Sequence, residues 1–320
     1  MDYDPLDPNV TRDPYPYYAW LRREAPVYRT RHGFTAVSRY QDVLEVLREP
    51  TRFSSSAMGD IVNQVKSMSG ADLGGGETLI GTDPPAHTRL RKIVNRAFTP
   101  RRVAALEPRI RAVAGELIDE LAAEPECDLM AALAVPLPVM MIAEILGIDA
   151  ARFRDFKRWS EDQIAAMAGP LSPELRASLE KGGIEREAYL DEVFEDRRRN
   201  PRDDVISDLV QAEQEVDVMT ADEVGNFVVL LMIAGNETTT NLIGNAVLAL
   251  GSHPESLASV RRDPSLVPNA LEETLRYDAP VQLTLRRATE DVELSGGKIP
   301  RDTLVAALIG SANRDERQFD

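Results

Sequence analysis

The chain has 320 residues, 43% hydrophobic and 28% charged, with a formal net charge of −16. These proportions are ordinary for a soluble globular protein, and the acidic balance argues against nucleic acid or an anionic membrane as a general partner. One cysteine excludes an internal disulfide framework and fits a reducing cytoplasm. Three scattered histidines give no zinc spacing, and no glycine-rich phosphate loop is present. The acidic start MDYDPLDPNV lacks the apolar run of a secretory leader. No linker, repeat or low-complexity tract marks a boundary, so a single domain over 1–320 is expected.

A short helix is expected from Tyr15 to Glu24. Pro26–Thr30 and Phe34–Ser38 alternate like two strands around Arg31-His32-Gly33, a hairpin signal. Tyr40–Arg48 reads as an amphipathic helix with Val43, Leu44 and Leu47 on one face. Ser54–Thr82 reads as long and irregular, with Gly74-Gly75-Gly76 inside it. Met58, Ile61, Val62, Val65 and Met68 line one face of a short helix there, as a pocket lid or a loop packed on the core.

Pro84–Thr99 carries more information. On a helical wheel Leu90, Ile93, Val94, Ala97 and Phe98 form the buried face, while Arg89, Lys92 and Arg96 point to water. His87 and Arg91, four apart, fall at the edge of the buried face. An inward cation needs an anion, from a protein carboxylate or from a ligand. Six Lys/Arg and no acid between His87 and Arg102 make a positive patch, a solvated face or a surface that steers an acidic partner.

Four further helices are expected over 103–124, 131–146, 152–167 and 174–199, punctuated by Gly147, Gly169-Pro170 and Asn200-Pro201. Cys127, just before one of them, reads as a small buried hydrophobe.

Residues 220–251 are the centre of the chain. Thr220 and Glu223 have capping-box spacing and Gly251 to Pro254 is a stop signal. The helix between them is apolar all round, which puts it in lipid or in a large core. Its polar middle, Asn236 to Asn241, favours the core. Ala234 and Gly235 are small enough for a flat ligand to approach. Thr238 can bond the Ala234 carbonyl and loosen the helix beside the carboxylate of Glu237. That group can relay protons, or it is a buried network that fixes helix packing.

Val267–Tyr277 is a short helix with Glu273 and Arg276 as an i, i+3 pair. Strand-like pieces follow at 282–288, 291–294 and 303–309, with Gly296-Gly297 as a turn.

Taken in order, PPAHTRLR from Pro84, AGNETT from Ala234, EETLR from Glu272, RRAT from Arg286 and ANRDERQF ending at Phe319 resemble the bacterial soluble cytochrome P450 family, over the whole chain. The resemblance implies a mainly α prism with a small β lobe, and haem b as cofactor. It implies that Ala234 and Gly235 lie over the haem, that Glu237 and Thr238 supply protons to the oxygen chemistry, and that His87, Arg91 and Arg286 bind the propionates. It gives Glu273 and Arg276 a structural role, bracing the segment behind the haem. Residues 54–82 and Val281–Thr284 match substrate-contacting regions.

The family's axial ligand is a cysteine in a glycine-rich loop. No such loop occurs here, and Cys127 does not match it, so the chain reads as lacking the C-terminal part of the fold, the metal's thiolate included. The expected protein is a cytoplasmic monooxygenase that inserts one oxygen atom from O2 into a small organic substrate, with electrons from a ferredoxin-like donor and no nucleic-acid or membrane partner. The 320 residues alone are expected to be inactive. The alternative is a non-enzymatic helical protein that keeps the fold and binds a ligand or partner.

Overall fold

The computed structural model describes residues 1–69, 77–149, 152–168, 171–214 and 219–319. In chain order the elements are α1 (Pro8–Arg12), α2 (Tyr15–Glu24), β1 (Val27–Arg29), β2 (Thr35–Val37), α3 (Tyr40–Arg48), β3 (Phe53–Ser54), α4 (Ser56–Met68), α5 (Ala86–Ala97), α6 (Pro100–Ala105) and α7 (Glu107–Ala122). A π-helical turn (Met130–Ala134) leads into α8 (Pro136–Leu146), α9 (Phe153–Ala168), α10 (Pro173–Arg199), α11 (Val205–Gln214) and α12 (Ala221–Ser252). The chain ends with α13 (Pro254–Arg262), α14 (Val267–Tyr277), β4 (Thr284–Ala288), β5 (Val292–Leu294), β6 (Gly297–Ile299), β7 (Leu304–Ala307) and α15 (Ile309–Ala312). The fold is mainly helical with a small sheet, as expected.

Prolines account for several departures from the expected boundaries. The helix expected over 103–124 is two helices, because Pro108 lacks the amide that would continue the first, and α7 restarts around it. Pro136 likewise opens α8 after the π turn. Pro254, read as a stop, is also the first residue of α13, where its missing amide costs nothing. The triple glycine at 74–76 and Gly169-Pro170 lie outside the described residues.

The chain forms two compact units, Met1–Met58 with Leu242–Asp320, and Gly59–Asn241. In the first, five strands make a sheet in the order β1-β2-β7-β4-β3. β2 and β7 run parallel, with Thr35 opposite Val305, and the other neighbours are antiparallel. Val37, Phe53, Ala288 and Val305 bury one face, and Tyr3, Tyr18, Leu21 and Leu308 pack in a second cluster. Arg22, buried on α2, donates to Glu316 through Nε (3.0 Å) and Nη2 (2.6 Å) and to the Ser311 carbonyl (3.0 Å). The two chain ends are thereby joined.

The second unit is all helical in its described part. Its core joins Leu90, Ile93, Val94 and Ala97 of α5 to Val139 and Leu146 of α8, Trp159 of α9, Phe194 of α10 and Val224, Phe227, Val228 and Met232 of α12. The wheel's buried face on α5 is therefore buried, with Phe98 at its margin. Among the described helices α12 is the one long and apolar enough to cross a membrane; here its first half is packed into this core. Gly147 closes α8 at φ +71°, where a side chain would run into Asp204. Asp204 in turn accepts from buried Arg197 (2.7 Å).

Candidate functional site

In the helical unit the site is built on α12 and α5. The capping box forms: the Thr220 amide donates to Glu223 (2.9 Å) and the Glu223 amide to Thr220 Oγ1 (3.2 Å). The helix then runs unbroken through 234–241. Thr238 Oγ1 donates to the Ala234 carbonyl at 2.7 Å without interrupting it, so the expected loosening does not break the helix.

The polar middle divides between two faces. Asn236 and Thr240, one turn apart, are buried; Thr240 Oγ1 donates to the Ala134 carbonyl (3.0 Å) and to Asn236 Oδ1 (3.3 Å). These two fix α12 against the π turn, the packing role. Glu237 and Thr238 are half-buried on the other face, and Glu237 has no hydrogen bond or ion pair among the described residues. Ala234 is exposed. A Cβ on Gly235 would lie 2.5 Å from Ile142 Cδ1, so this glycine also lets α8 pack closely. The small cavity beside it, lined by Ile142, Phe156, Met232 and Asn236, measures about 10 Å3, room for about one water and no substrate.

On α5, His87 is half-buried and Arg91 is exposed, not at the edge of the core as the wheel placed it. Neither has a carboxylate partner among the described residues. Of the two sources of an anion left open by the sequence, a protein carboxylate is therefore not found there. The cation with a buried partner is Arg89, which was expected in water. Its Nη1 reaches Glu223 Oε2 at 3.1 Å, its Nη2 bonds Oε1, and Glu77 is 3.3 Å away. Burial works to raise the Glu223 pKa, but the bonds from Arg89 and the Thr220 amide outweigh it and hold the carboxyl below its ordinary value. The positive patch is correspondingly smaller than the residue count suggests.

Cys127 is exposed in the connection between α7 and the π turn, not a buried hydrophobe as its apolar sequence neighbours implied.

In the sheet-bearing unit, Glu273 and Arg276 pair bidentately, Nε to Oε2 at 2.8 Å and Nη2 to Oε1 at 2.6 Å. Arg276 Nη1 also donates to the Asn313 carbonyl (2.8 Å), and Asn313 Nδ2 returns a bond to the Leu275 carbonyl (3.3 Å). The pair is thus an internal tie between α14 and the segment after α15. Arg276 depresses the Glu273 pKa through that bond. Arg286, half-buried on β4, donates to the Leu285 carbonyl (2.9 Å).

A family model described as Cytochrome P450 matches residues 153–320. Cytochrome P450 107B1 of Saccharopolyspora erythraea is 38% identical over 325 residues, covering 98% of this chain and 78% of that protein. The solved structure of cytochrome P450 CYP109Q5 from Chondromyces apiculatus is 44% identical with a TM-score of 0.89, covering 99% of this chain and 79% of that one. CYP109E1 from Bacillus megaterium, solved in complex with testosterone, is 36% identical with a TM-score of 0.83, covering 96% and 78%. The chain belongs to the cytochrome P450 family of haem monooxygenases.

The residues present fit part of that cofactor. His87 and Arg91 are nitrogen donors without carboxylates among the described residues, suited to propionates, and exposed Ala234 offers a helix face with little side chain. The axial thiolate is not supplied by the described residues, since the one cysteine is exposed Cys127.

Proposed function

We propose that the protein is a cytoplasmic haem monooxygenase that inserts one oxygen atom from O2 into a small organic substrate, with electrons from a ferredoxin-type donor, and that these 320 residues do not by themselves complete the metal site. Haem supplies the oxygen chemistry when bound. His87, Arg91 and Arg286 hold its propionates by charge-assisted bonds. Ala234 and Gly235 leave room for the ring and the substrate. The Thr238 hydroxyl spends its proton on the Ala234 carbonyl and keeps its lone pairs to accept one. The Glu237 carboxylate, with no partner among the described residues, takes protons from solvent and passes them on. Glu273 and Arg276 act on stability alone.

The observation that carries this reading is the split of the polar segment of α12. Asn236 and Thr240 account for packing, and Glu237 and Thr238 are left over with no structural duty beyond one local bond. The test is Thr238→Ala in a chain that carries the family's cysteine loop. Product formed per NAD(P)H consumed should fall, with hydrogen peroxide released instead, while haem content and substrate binding hold. Unchanged coupling removes Thr238 from proton delivery.

A further inference from the structure

The first half of α12 is held largely by contacts that have no direction. Asn226 to Val229, four consecutive residues and so a full turn, are all buried. Apolar packing on every side resists displacement but hardly distinguishes one rotation about the helix axis from another. Hydrogen bonds do distinguish them. Up to Asn241, and among the described residues, three side chains of α12 bond to other elements: Glu223 to Arg89, Asn226 to Lys66, and Thr240 to the Ala134 carbonyl. The first two lie in the opening two turns; Thr240 is the one beside the segment 234–238. Ala134 is fully buried, and a buried carbonyl needs a donor. In a helix that donor would be the amide four residues on, but residue 138 is proline and has no N–H. Thr240 Oγ1 takes that place at 3.0 Å, with Asn236 Oδ1 3.3 Å from the same hydroxyl. Any residue but proline at 138 could have satisfied Ala134 within its own helix; the proline passes the bond to α12.

We propose that Thr240 is a positioning residue for the oxygenase reaction. Its bond to the Ala134 carbonyl sets the rotation of the middle of α12 and so the direction of the Thr238 hydroxyl. Thr238 is two residues from Asn236 and two from Thr240, which puts it on the opposite side of the helix from both. Whatever fixes 236 and 240 against the π turn therefore holds 238 away from it. The Arg89–Glu223 pair fixes the start of the same helix, four turns earlier. The inference rests on the reading of Thr238 as part of the proton route.

The test begins on the 320-residue chain without haem. In a Cys127→Ser background each variant carries one thiol: Met232→Cys, buried one turn before Asn236 on the packed side, or Thr238→Cys on the open side. Their alkylation by iodoacetamide is timed. Adding Thr240→Val should slow the thiol at position 238 and quicken the thiol at position 232, each by about tenfold, the equivalent of one net hydrogen bond. Thr240→Ser, which keeps the hydroxyl, should leave both rates as they were. Should Thr240→Val not fold, Pro138→Ala beside it supplies the Ala134 carbonyl with an amide while the link to α12 stays broken, and the same opposed shifts are expected. Acceleration at both positions would mean that the helix is merely loosened, and unchanged rates that it was never pinned; either overturns the proposal, as does a Thr240→Ser variant that behaves like Thr240→Val. In a chain that carries the family's cysteine loop, Thr240→Val should lower product formed per NAD(P)H consumed with haem content held, and Thr240→Ser should not. Opposed labelling shifts with full coupling would overturn the link to the reaction. Thr238→Ala tests the proton route without touching the Thr240 bond, so the two readings fail separately.

Discussion

Arg89 on α5 and Glu223 in the first turn of α12 form a two-point ion pair, and the carboxylate is 5% exposed. Glu223 serves two elements at once, capping its own helix through Thr220 and anchoring α5 through Arg89. Replacing Arg89 with Gln should cost about 1–2 kcal/mol of stability, because a nearly buried carboxylate loses its countercharge at a partly exposed site. Lys92→Gln, at an exposed position, should stay within about 0.5 kcal/mol. Urea unfolding of the two variants decides; equal midpoints would mean that the clamp carries no energy.

Haem retention separates the cations on α5 differently. His87→Leu with Arg91→Leu should weaken haemin uptake by about tenfold or more, since each charge-assisted bond is worth roughly 1.5–3 kcal/mol. Lys92→Gln should leave it unchanged. Titration by visible absorbance measures both, and similar losses in the two variants would remove His87 and Arg91 from the cofactor site.

Arg276→Met removes the bidentate bond to Glu273 and the bond to the Asn313 carbonyl together. It should cost about 1–2 kcal/mol, and Glu273→Gln less, because the Asn313 bond remains. Amide exchange over 309–319 should quicken in the first variant and change little in the second. Equal exchange in both would show that the ion pair alone holds the segment.

Glu316 gives the acid limb of stability a local origin. The bond from Arg22 pulls its pKa from 4.5 to about 2, against the opposing effect of burial. A folded pKa below the unfolded one means that the stabilisation is fully present above about pH 4.5 and is lost as pH falls toward 2. Glu316→Gln should flatten the fall of the melting temperature between pH 5 and pH 2. The carboxylate is well exposed, so the effect is modest. An unchanged slope would place the acid sensitivity elsewhere.

The chain as it stands should give no thiolate-type ferrous carbonyl band near 450 nm, in keeping with exposed Cys127 as its one cysteine. The spectrum of purified chain reconstituted with haem, beside that of Cys127→Ser, is the measurement. A band that disappears on substitution would make Cys127 the ligand.

The capping box, the buried face of α5 and the hairpin of β1 and β2 were legible because each depends on residues a few positions apart. What reaches across the chain was not. A wheel assigns Arg89 to water by angle, yet its long side chain extends to a carboxylate on another helix. The two-residue strand β3 exists through its pairing with β4, Phe53 opposite Ala288, and has no pattern of its own. Arg186 is buried on α10, a helix whose low amphipathic contrast does not mark an inner face in the sequence. The motifs of α12 left its polar middle open between proton relay and packing; that Asn236 and Thr240 pack required the position of the Ala134 carbonyl.

The parallel pairing of Thr35 with Val305 sets an order of events for the ribosome. Three of the five strands in the sheet lie before residue 55, and the two that lie among them come after residue 283. At about 5–20 residues per second, the first strands wait roughly a quarter of a minute to a minute for their partners. The helical unit, Gly59–Asn241, is continuous in sequence and can fold during that wait. Until β7 arrives, the β1–β2 hairpin carries an open edge and an uncovered apolar face, so nascent chains halted late in synthesis should engage chaperones through their first 58 residues.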